Sequence, residues 1–342
     1  MVCGMTNTGL AAIAGESRIV TRSAWSRQRD GVSIRDPSRR PMSMRVILAT
    51  AILSLFATAH AVEAERLPAW LLELPASVGE ILIADAEDAA LYRFENNGHG
   101  IVQLDERYMS IGRNGVGKQR AWDRKTPLGI YFITEELDTS RLHDKYGDAA
   151  FVLDYPNAWD RYQKRTGDGI WLHGVDRNDP QRPPLDTDGC LALPNEEIVR
   201  IAGDLQPLVT PVIVARELQW APASDIAVTR AEFRRALARW QTTINEGDVA
   251  GYLSLYAADF RQQDMDKNAW STWRANVFAA RGDSGIALRD VLLLADPEEA
   301  GLFLSRFTQV MVYDGQEVQT QKRLYWRRNG AQDWQIVTED HG

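Results

Sequence analysis

Cysteine is almost absent. Among 342 residues there are two, Cys3 and Cys190, which excludes a disulfide-stapled scaffold. Histidine is nearly as rare, at five, and no cysteines and histidines stand at the paired spacing that a zinc site needs. No apolar run reaches the roughly 20 residues of a membrane-spanning helix. Internal repeats and low-complexity tracts are missing as well. Basic residues are in deficit, 39 Lys and Arg against 47 Asp and Glu, a net charge of −8. Such a balance repels nucleic acid and anionic membrane surfaces. What remains is the composition of a soluble globular protein, 44% hydrophobic and 25% charged, at a length that suits two domains.

The stretch "MRVILATAILSLFATAHA", Met44 to Ala61, joins Arg45 to an apolar run from Val46 to Phe56 and to small residues at Ala59 and Ala61. This is the layout of a secretory signal with an A-x-A cleavage site, a cut after Ala64 being the alternative. Residues 1–41 are arginine-rich and aperiodic, which points to Met42 or Met44 as the true start or to a disordered segment. The expectation is a leader over 1–64 and a periplasmic protein. Without residues 1–61 the chain carries 31 basic and 44 acidic side chains, a net −13. Cys3 leaves with the leader, and Cys190 then has no partner within its own chain. In an oxidising compartment a lone cysteine is buried and inert, paired between chains, or a working thiol.

Apolar spacing predicts a short helix over 65–78, with Leu67, Trp70, Leu71 and Leu74 on one face and Pro75 ending it. Short strands follow: two within Glu80–Gly98, then Ile101–Leu104, Arg107–Ile111, Ile130–Ile133 and "WLHGV" at Trp171–Val175. Asn195 is placed as the cap of a helix over 196–205, and "PLVTPVIVAREL" reads as a last buried strand. Many short strands with few helices imply a mainly β sandwich or barrel over 79–218. A linker is expected at 219–227. Beyond it, over 228–342, Thr229 and Glu232 form a capping box for a helix that aligns Phe233, Leu237, Trp240 and Ile244. A second helix and a strand–Asp-Gly–strand tail complete an α+β domain.

Cys190 follows Gly189 on a short turn, and His173 ends a predicted strand seventeen residues upstream. A thiol becomes an effective nucleophile only when a base or positive surroundings make it a thiolate. A strand-end histidine facing a glycine-flanked cysteine would supply the base. The Gly189 and Cys190 amides would then face a developing oxyanion.

"GIWLHGV" followed by "DTDGCLAL" resembles the signature of the YkuD-type L,D-transpeptidases, and "GKQRAWDRKTPLGIYFI" is similar to that family's T-P-x-G segment. "YPNAWDRYQKRTGDGIWLHG" and the two-block layout look like the branch of YafK-like enzymes and helical-cell-shape L,D-carboxypeptidases, whose second domain is nuclear-transport-factor-like (SnoaL-like). The resemblance covers about Gly79 to Asp340 and implies a YkuD-like β domain followed by a cone-like α+β domain. It implies Cys190 as nucleophile, His173 as base, and Gly174 as a third member whose carbonyl orients the imidazole. It also implies peptidoglycan stem peptides as substrate, attacked between diaminopimelate and D-Ala through a thioester. L,D-carboxypeptidation is the first expectation, with transpeptidation, a lipoprotein link or a non-catalytic wall-binding protein as alternatives.

One departure is Asp188, where many members have histidine. It is expected to face outward or to hold Arg165 or Lys164, because turned inward it would raise the thiol pKa. A substrate with free carboxylates needs cations, and Lys118, Arg120, Arg124 and Arg165 are the candidates. Trp171 is placed beside them, although burial is the simpler reading of Trp159, Tyr162 and Trp171. In the second domain Trp270, Trp273, Tyr313, Tyr325 and Trp326 are expected to line a pocket that binds glycan or a wall protein. No metal, cofactor or nucleic acid is expected, and the oligomeric state is left open.

Overall fold

The strand Glu80–Asp85 is buried at every position, so the sheet that holds it has to be covered on both faces. The computed structural model, which describes residues 65–281, 284–313, 315–330 and 333–342, shows what covers it. The expected leader and its signal segment at 44–61 lie outside those residues.

In chain order the first part comprises β1 (Arg66–Pro68), β2 (Leu71–Glu73), β3 (Glu80–Asp85), β4 (Ala90–Asn96), β5 (Ile101–Tyr108), β6 (Ile111–Gly112), β7 (Gly129–Leu137) and β8 (Ala150–Leu153). Helix α1 (Ala158–Tyr162), β9 (Trp171–Gly174), β10 (Leu185–Thr187), β11 (Leu191–Leu193), α2 (Asn195–Ala202), β12 (Pro211–Ala215) and β13 (Trp220–Pro222) follow. Eight strands make one mixed sheet in the order β11-β9-β8-β7-β12-β3-β4-β5. Alternation sorts its residues. Leu82, Ala84, Tyr131, Ile133, Val212 and Val214 face a core closed by Ile198 and Ile201 of α2. Ile81, Ile83, Ile130, Phe132 and Ile213 face the other way.

That second face meets the other half of the chain. Its elements are α3 (Ala223–Asn245), α4 (Val249–Ser254), β14 (Arg261–Gln262), β15 (Met265–Asp266), α5 (Lys267–Arg281), β16 (Ile286–Ala295), β17 (Leu302–Tyr313), β18 (Gln316–Arg328) and β19 (Trp334–Asp340). The antiparallel sheet β19-β18-β17-β16-β2 presents Leu292, Leu294, Leu302, Leu304 and Tyr325 to the first sheet. Its opposite face carries Leu293, Phe303, Phe307, Leu324 and Trp326 under Phe233, Leu237, Trp240 and Ile244 of α3. The architecture is mainly β followed by α+β, as the sequence implies.

Several local expectations change. Residues 65–78 form strands instead of a helix. β1 pairs with β13 and β2 with β16. Leu71 and Leu72 are both buried but belong to different cores, as the alternation of a strand places neighbours. The linker expected at 219–227 is β13 and the first turn of α3. That helix starts after Pro222, so Thr229 lies inside it and caps nothing. Asn195 is the first residue of α2 and not its cap. The strands expected at Ile101–Leu104 and Arg107–Ile111 merge into the one strand β5, and only Ile111 passes to the two-residue β6. Tyr325 and Trp326 face opposite sides of their sheet and cannot share a pocket. Trp270 and Trp326 are core residues, Trp273 is 46% exposed, and the side chain of Tyr313 lies outside the described residues.

Charges fasten the two sheets where the apolar contact ends. Arg323 of β18 is buried and pairs with Asp154 of the first sheet's side and with Asp340. Arg306 and Arg323 both sit over the Phe132 ring, 4.5 and 5.7 Å from its centroid. Arg327 holds Asp259 at 3.1 Å, and Asp259 accepts from the Tyr162 hydroxyl at 2.8 Å. Burial pushes the Asp154 carboxyl up and Arg323 pulls it back. Asp154→Ala removes a charge-assisted hydrogen bond but leaves Arg323 paired with Asp340, so it is expected to lower the unfolding free energy by about 2 kcal/mol. Denaturant titration measures it, and a loss below about 1 kcal/mol would mean that water screens the pair.

Candidate active site

β9 and β11 run parallel, with Leu172 opposite Leu191 and His173 opposite Ala192. Cys190, one residue before β11, falls level with Trp171. By strand alternation its side chain leaves the sheet on the same face as that of His173. Both line one cavity of about 700 Å³. Cys190 is half-buried and unpaired, and its Sγ lies 3.5 Å from the Gly169 carbonyl.

His173 is buried and its Nδ1 lies 2.5 Å from the Gly174 carbonyl oxygen. A carbonyl only accepts, so Nδ1 carries the proton and Nε2 of the neutral ring is the acceptor. Burial lowers the His173 pKa to about 4, the Gly174 bond opposes that, and Arg182 and Lys145 add to it. Burial likewise raises the Cys190 thiol to about 11; the Trp171 backbone N–H favours the thiolate and Asp188 disfavours it. The resting pair is a neutral thiol and a neutral imidazole.

Gly174 is required here for more than its carbonyl. A Cβ on it would lie 2.1 Å from Asn195 Oδ1 and 3.0 Å from the Asp148 nitrogen. Gly147 at φ 68° packs against the same spot, where a Cβ would meet Asn195 Oδ1 at 2.2 Å and Gly174 backbone at 2.6 Å. Asn195 closes the cluster: its Oδ1 accepts from the Asp148 N–H at 3.1 Å and its Nδ2 donates to the Val175 carbonyl at 3.0 Å. Tyr146, next to Gly147, sets its ring 5.3 Å from the His173 ring and 4.5 Å from Trp171.

The cysteine turn rests on the T-P-x-G segment. Gly189 has φ 130°, and a Cβ there would press on the Lys125 carbonyl at 2.8 Å. Thr126 is fully buried and its Oγ1 accepts from the Gly112 N–H at 2.9 Å. The oxyanion expectation needs one correction. The Gly189 N–H donates to Thr187 Oγ1 at 3.0 Å, and that hydroxyl donates to the Cys190 carbonyl at 2.7 Å. Gly189 thus shapes the turn while its amide is engaged, whereas the Cys190 amide hydrogen-bonds to none of the described residues.

Of the expected cations, Lys118 and Arg124 line the cavity. Lys118 is buried and bound to Asp123 at 2.8 Å. Arg124 and Arg113 each approach Asp188 to 3.7 Å, so Asp188 does face outward but holds these two and not Arg165 or Lys164. Arg165 turns inward to Asp160 at 3.0 Å, drawn by a buried carboxylate. Arg120 stays outside the cavity with its N–H on Asp123. Trp171 is half-buried against Tyr146 and lies outside the lining, while Trp159 is core. Sequence reading missed Arg113, Trp122, Lys145 and Arg182 on the lining. Lys145 has no carboxylate within ion-pair distance among the described residues; it lies over the Tyr146 ring at 4.7 Å.

A cysteine and an oriented histidine on the end strands of a mainly β domain define a cysteine-dependent enzyme. Residues 79–214 match the model of the YkuD L,D-transpeptidase catalytic domain, and residues 232–340 match that of the Cds6 C-terminal NTF2-like domain. Residues 79–214 are thus a YkuD L,D-transpeptidase catalytic domain, and an NTF2-like domain follows it. Among solved structures, Bd1075 of Bdellovibrio bacteriovorus is similar at 24% identity over 81% of this chain and 98% of that one, with a TM-score of 0.68. The helical cell shape determining protein Pgp2 of Campylobacter jejuni is similar at 22% identity over 76% and 91%, with a TM-score of 0.65. These likenesses extend the shared fold over both domains. No curated protein matches the chain.

Because the His173 pKa lies near 4 when folded against 6.5 in the ordinary ring, the unfolded chain binds the extra proton between those values. The group's contribution is complete above pH 6.5 and is lost as pH falls to 4, by about 3 kcal/mol. Comparing the pH dependence of unfolding free energy in wild type and His173→Gln should show that slope only in the wild type. Gly174→Ala should displace the imidazole from its carbonyl and reduce turnover by at least about a hundredfold, as expected when a catalytic group is misplaced by an ångström. Turnover within tenfold of wild type would show that the cluster around Asn195 yields without moving His173.

Proposed function

We propose that this protein is a periplasmic L,D-carboxypeptidase acting on the tetrapeptide stems of peptidoglycan. The observation that carries the reading is the single cavity holding the Cys190 thiol and a His173 ring whose free Nε2 is fixed by the Gly174 bond. His173 Nε2 takes the thiol proton as Sγ attacks the diaminopimelate carbonyl carbon. The Cys190 amide donates to the resulting oxyanion. The C–N bond breaks, D-Ala leaves with the proton returned by His173, and a thioester remains. Water then attacks, His173 again takes a proton, and the tripeptide is released with the thiol restored. Stem carboxylates are met by Lys145 and Arg182, and by Arg113 and Arg124 once they exchange Asp188 for substrate.

The YkuD catalytic domain at 79–214 supports acyl transfer on peptidoglycan peptides. The carboxypeptidase choice is supported by the two-domain fold shared with Pgp2, a protein that determines helical cell shape. It is also supported by the aspartate at 188 in place of the histidine many members carry. Export is supported by the segment at 44–61.

Mass spectrometry of the purified protein with disaccharide tetrapeptide, beside Cys190→Ala, is the test. Tripeptide and free D-Ala are expected from the wild type alone, and the protein is expected in the periplasmic fraction of its cells. A dimer joined through two diaminopimelates would replace hydrolysis by transpeptidation. No thiol-dependent product would sink the catalytic reading.

A further inference from the structure

Trp122 is 94% exposed, yet its surroundings are tightly held. Its φ is 65° and that of Arg124 is 56°, a region that bulky residues occupy at a cost and that clusters at functional sites. Asp123 between them accepts from Lys118 Nζ at 2.8 Å and from the Gln119, Arg120 and Lys125 N–H groups at 2.8, 3.0 and 3.2 Å. Asn114 Nδ2 donates to the Asp123 carbonyl at 2.8 Å, and the Ala121 N–H donates to Thr166 Oγ1 at 3.3 Å. Gly167 packs so closely that a Cβ would stand 3.2 Å from Ala121 Cα. A strained, multiply tied loop therefore holds an indole in water at the edge of the cavity that contains Cys190.

We propose that Trp122 is a specificity-determining residue whose indole stacks on a pyranose ring of the glycan strand bearing the stem peptide. The proposal rests on the reading that the cavity takes peptidoglycan stems. Its argument is chemical. The stem offers carboxylates, amides and alkyl chains, which suit Arg113, Lys145 and Arg182, but no flat apolar face. A pyranose ring offers one face of C–H groups with hydroxyls at its edge. Trp122 offers a flat indole with no aromatic neighbour among the described residues, and cationic Arg124 stands two residues away at the same rim. On a backbone already tied down, an indole has only two side-chain torsions to lose on binding, which is what makes an exposed aromatic effective as an anchor.

The test compares disaccharide tetrapeptide with free tetrapeptide on the full chain. In Trp122→Ala and Trp122→Gly the ratio of kcat/KM for the two substrates is expected to fall about tenfold, through KM for the disaccharide form, as for a lost aromatic contact. Trp122→Phe should recover most of it. Glycine suits φ 65°, so Trp122→Gly should not lower Tm, which separates a lost contact from a lost fold. The same ratio read as affinities by calorimetry in a Cys190→Ala background needs no turnover. An unchanged ratio, or equal losses on both ligands, overturns the proposal. If the wild type releases nothing from either substrate, the carboxypeptidase reading fails while the affinity ratio still decides the role of Trp122.

Discussion

The bond from His173 Nδ1 to the Gly174 carbonyl is the constraint on which the site depends. A histidine has its tautomer set by the hydrogen bond its other nitrogen makes, often to a backbone carbonyl or a carboxylate. Here the orienting oxygen belongs to the next residue, so ring and partner share one piece of backbone. That backbone must then be fixed from outside. Gly147 and Asn195 do this by pressing on Gly174 from a loop and from the start of α2, where no side chain beyond hydrogen fits. The helix, the loop and the end of β9 are thereby committed to one small volume, and Tyr146 is carried over the imidazole as a consequence.

Burial governs the chemistry at this point. It disfavours charge on both reacting groups, so neither thiolate nor imidazolium is stable at rest. In the proposed reaction, proton transfer then belongs to the attack itself, with the developing negative charge moving to the oxyanion and the positive charge to the ring. Asp188 would oppose the thiolate, but it is exposed and stands near Arg113 and Arg124, whose charges offset its field. An aspartate beside the nucleophile is tolerable here because two guanidiniums lie within reach of it.

Sequence carried the strands and the reacting pair well, for definite reasons. β3 and β12 are apolar runs, β17 alternates before an Asp-Gly pair, and the Gly189–Cys190 and His173–Gly174 pairs mark positions where glycine is sterically enforced. It failed where one spacing serves two structures. Leu67, Trp70, Leu71 and Leu74 suit a helical face, but Leu71 and Leu72 are strand neighbours in separate cores. Thr229 and Glu232 have the form of a capping box, yet the helix had already begun at Ala223. Among the cations, Arg165 and Lys118 could not be sorted from Lys145 and Arg182. Whether a cation is spent on Asp160 or Asp123 depends on contacts that no local pattern encodes. Trp122 was invisible for the same reason, because an exposed tryptophan is marked by its φ and not by its neighbours.

The second domain cannot be regarded as a separable appendage. β2, from the chain's first described residues, forms the edge of its sheet, while β1 pairs with β13 at the junction. Leu292, Leu294, Leu302, Leu304 and Tyr325 share a core with Ile81, Phe132 and Ile213. Separation would expose apolar surface on both sheets, and each buried side chain of this kind is worth about 1.5–3 kcal/mol. It would also strand Asp154, while Arg323 would keep Asp340. Where domains joined by a linker move independently, these two are joined through a continuous core, with charged clasps at its margin. The second domain is consequently held at a fixed distance and angle from Cys190, and any motion between the two would have to break that core first.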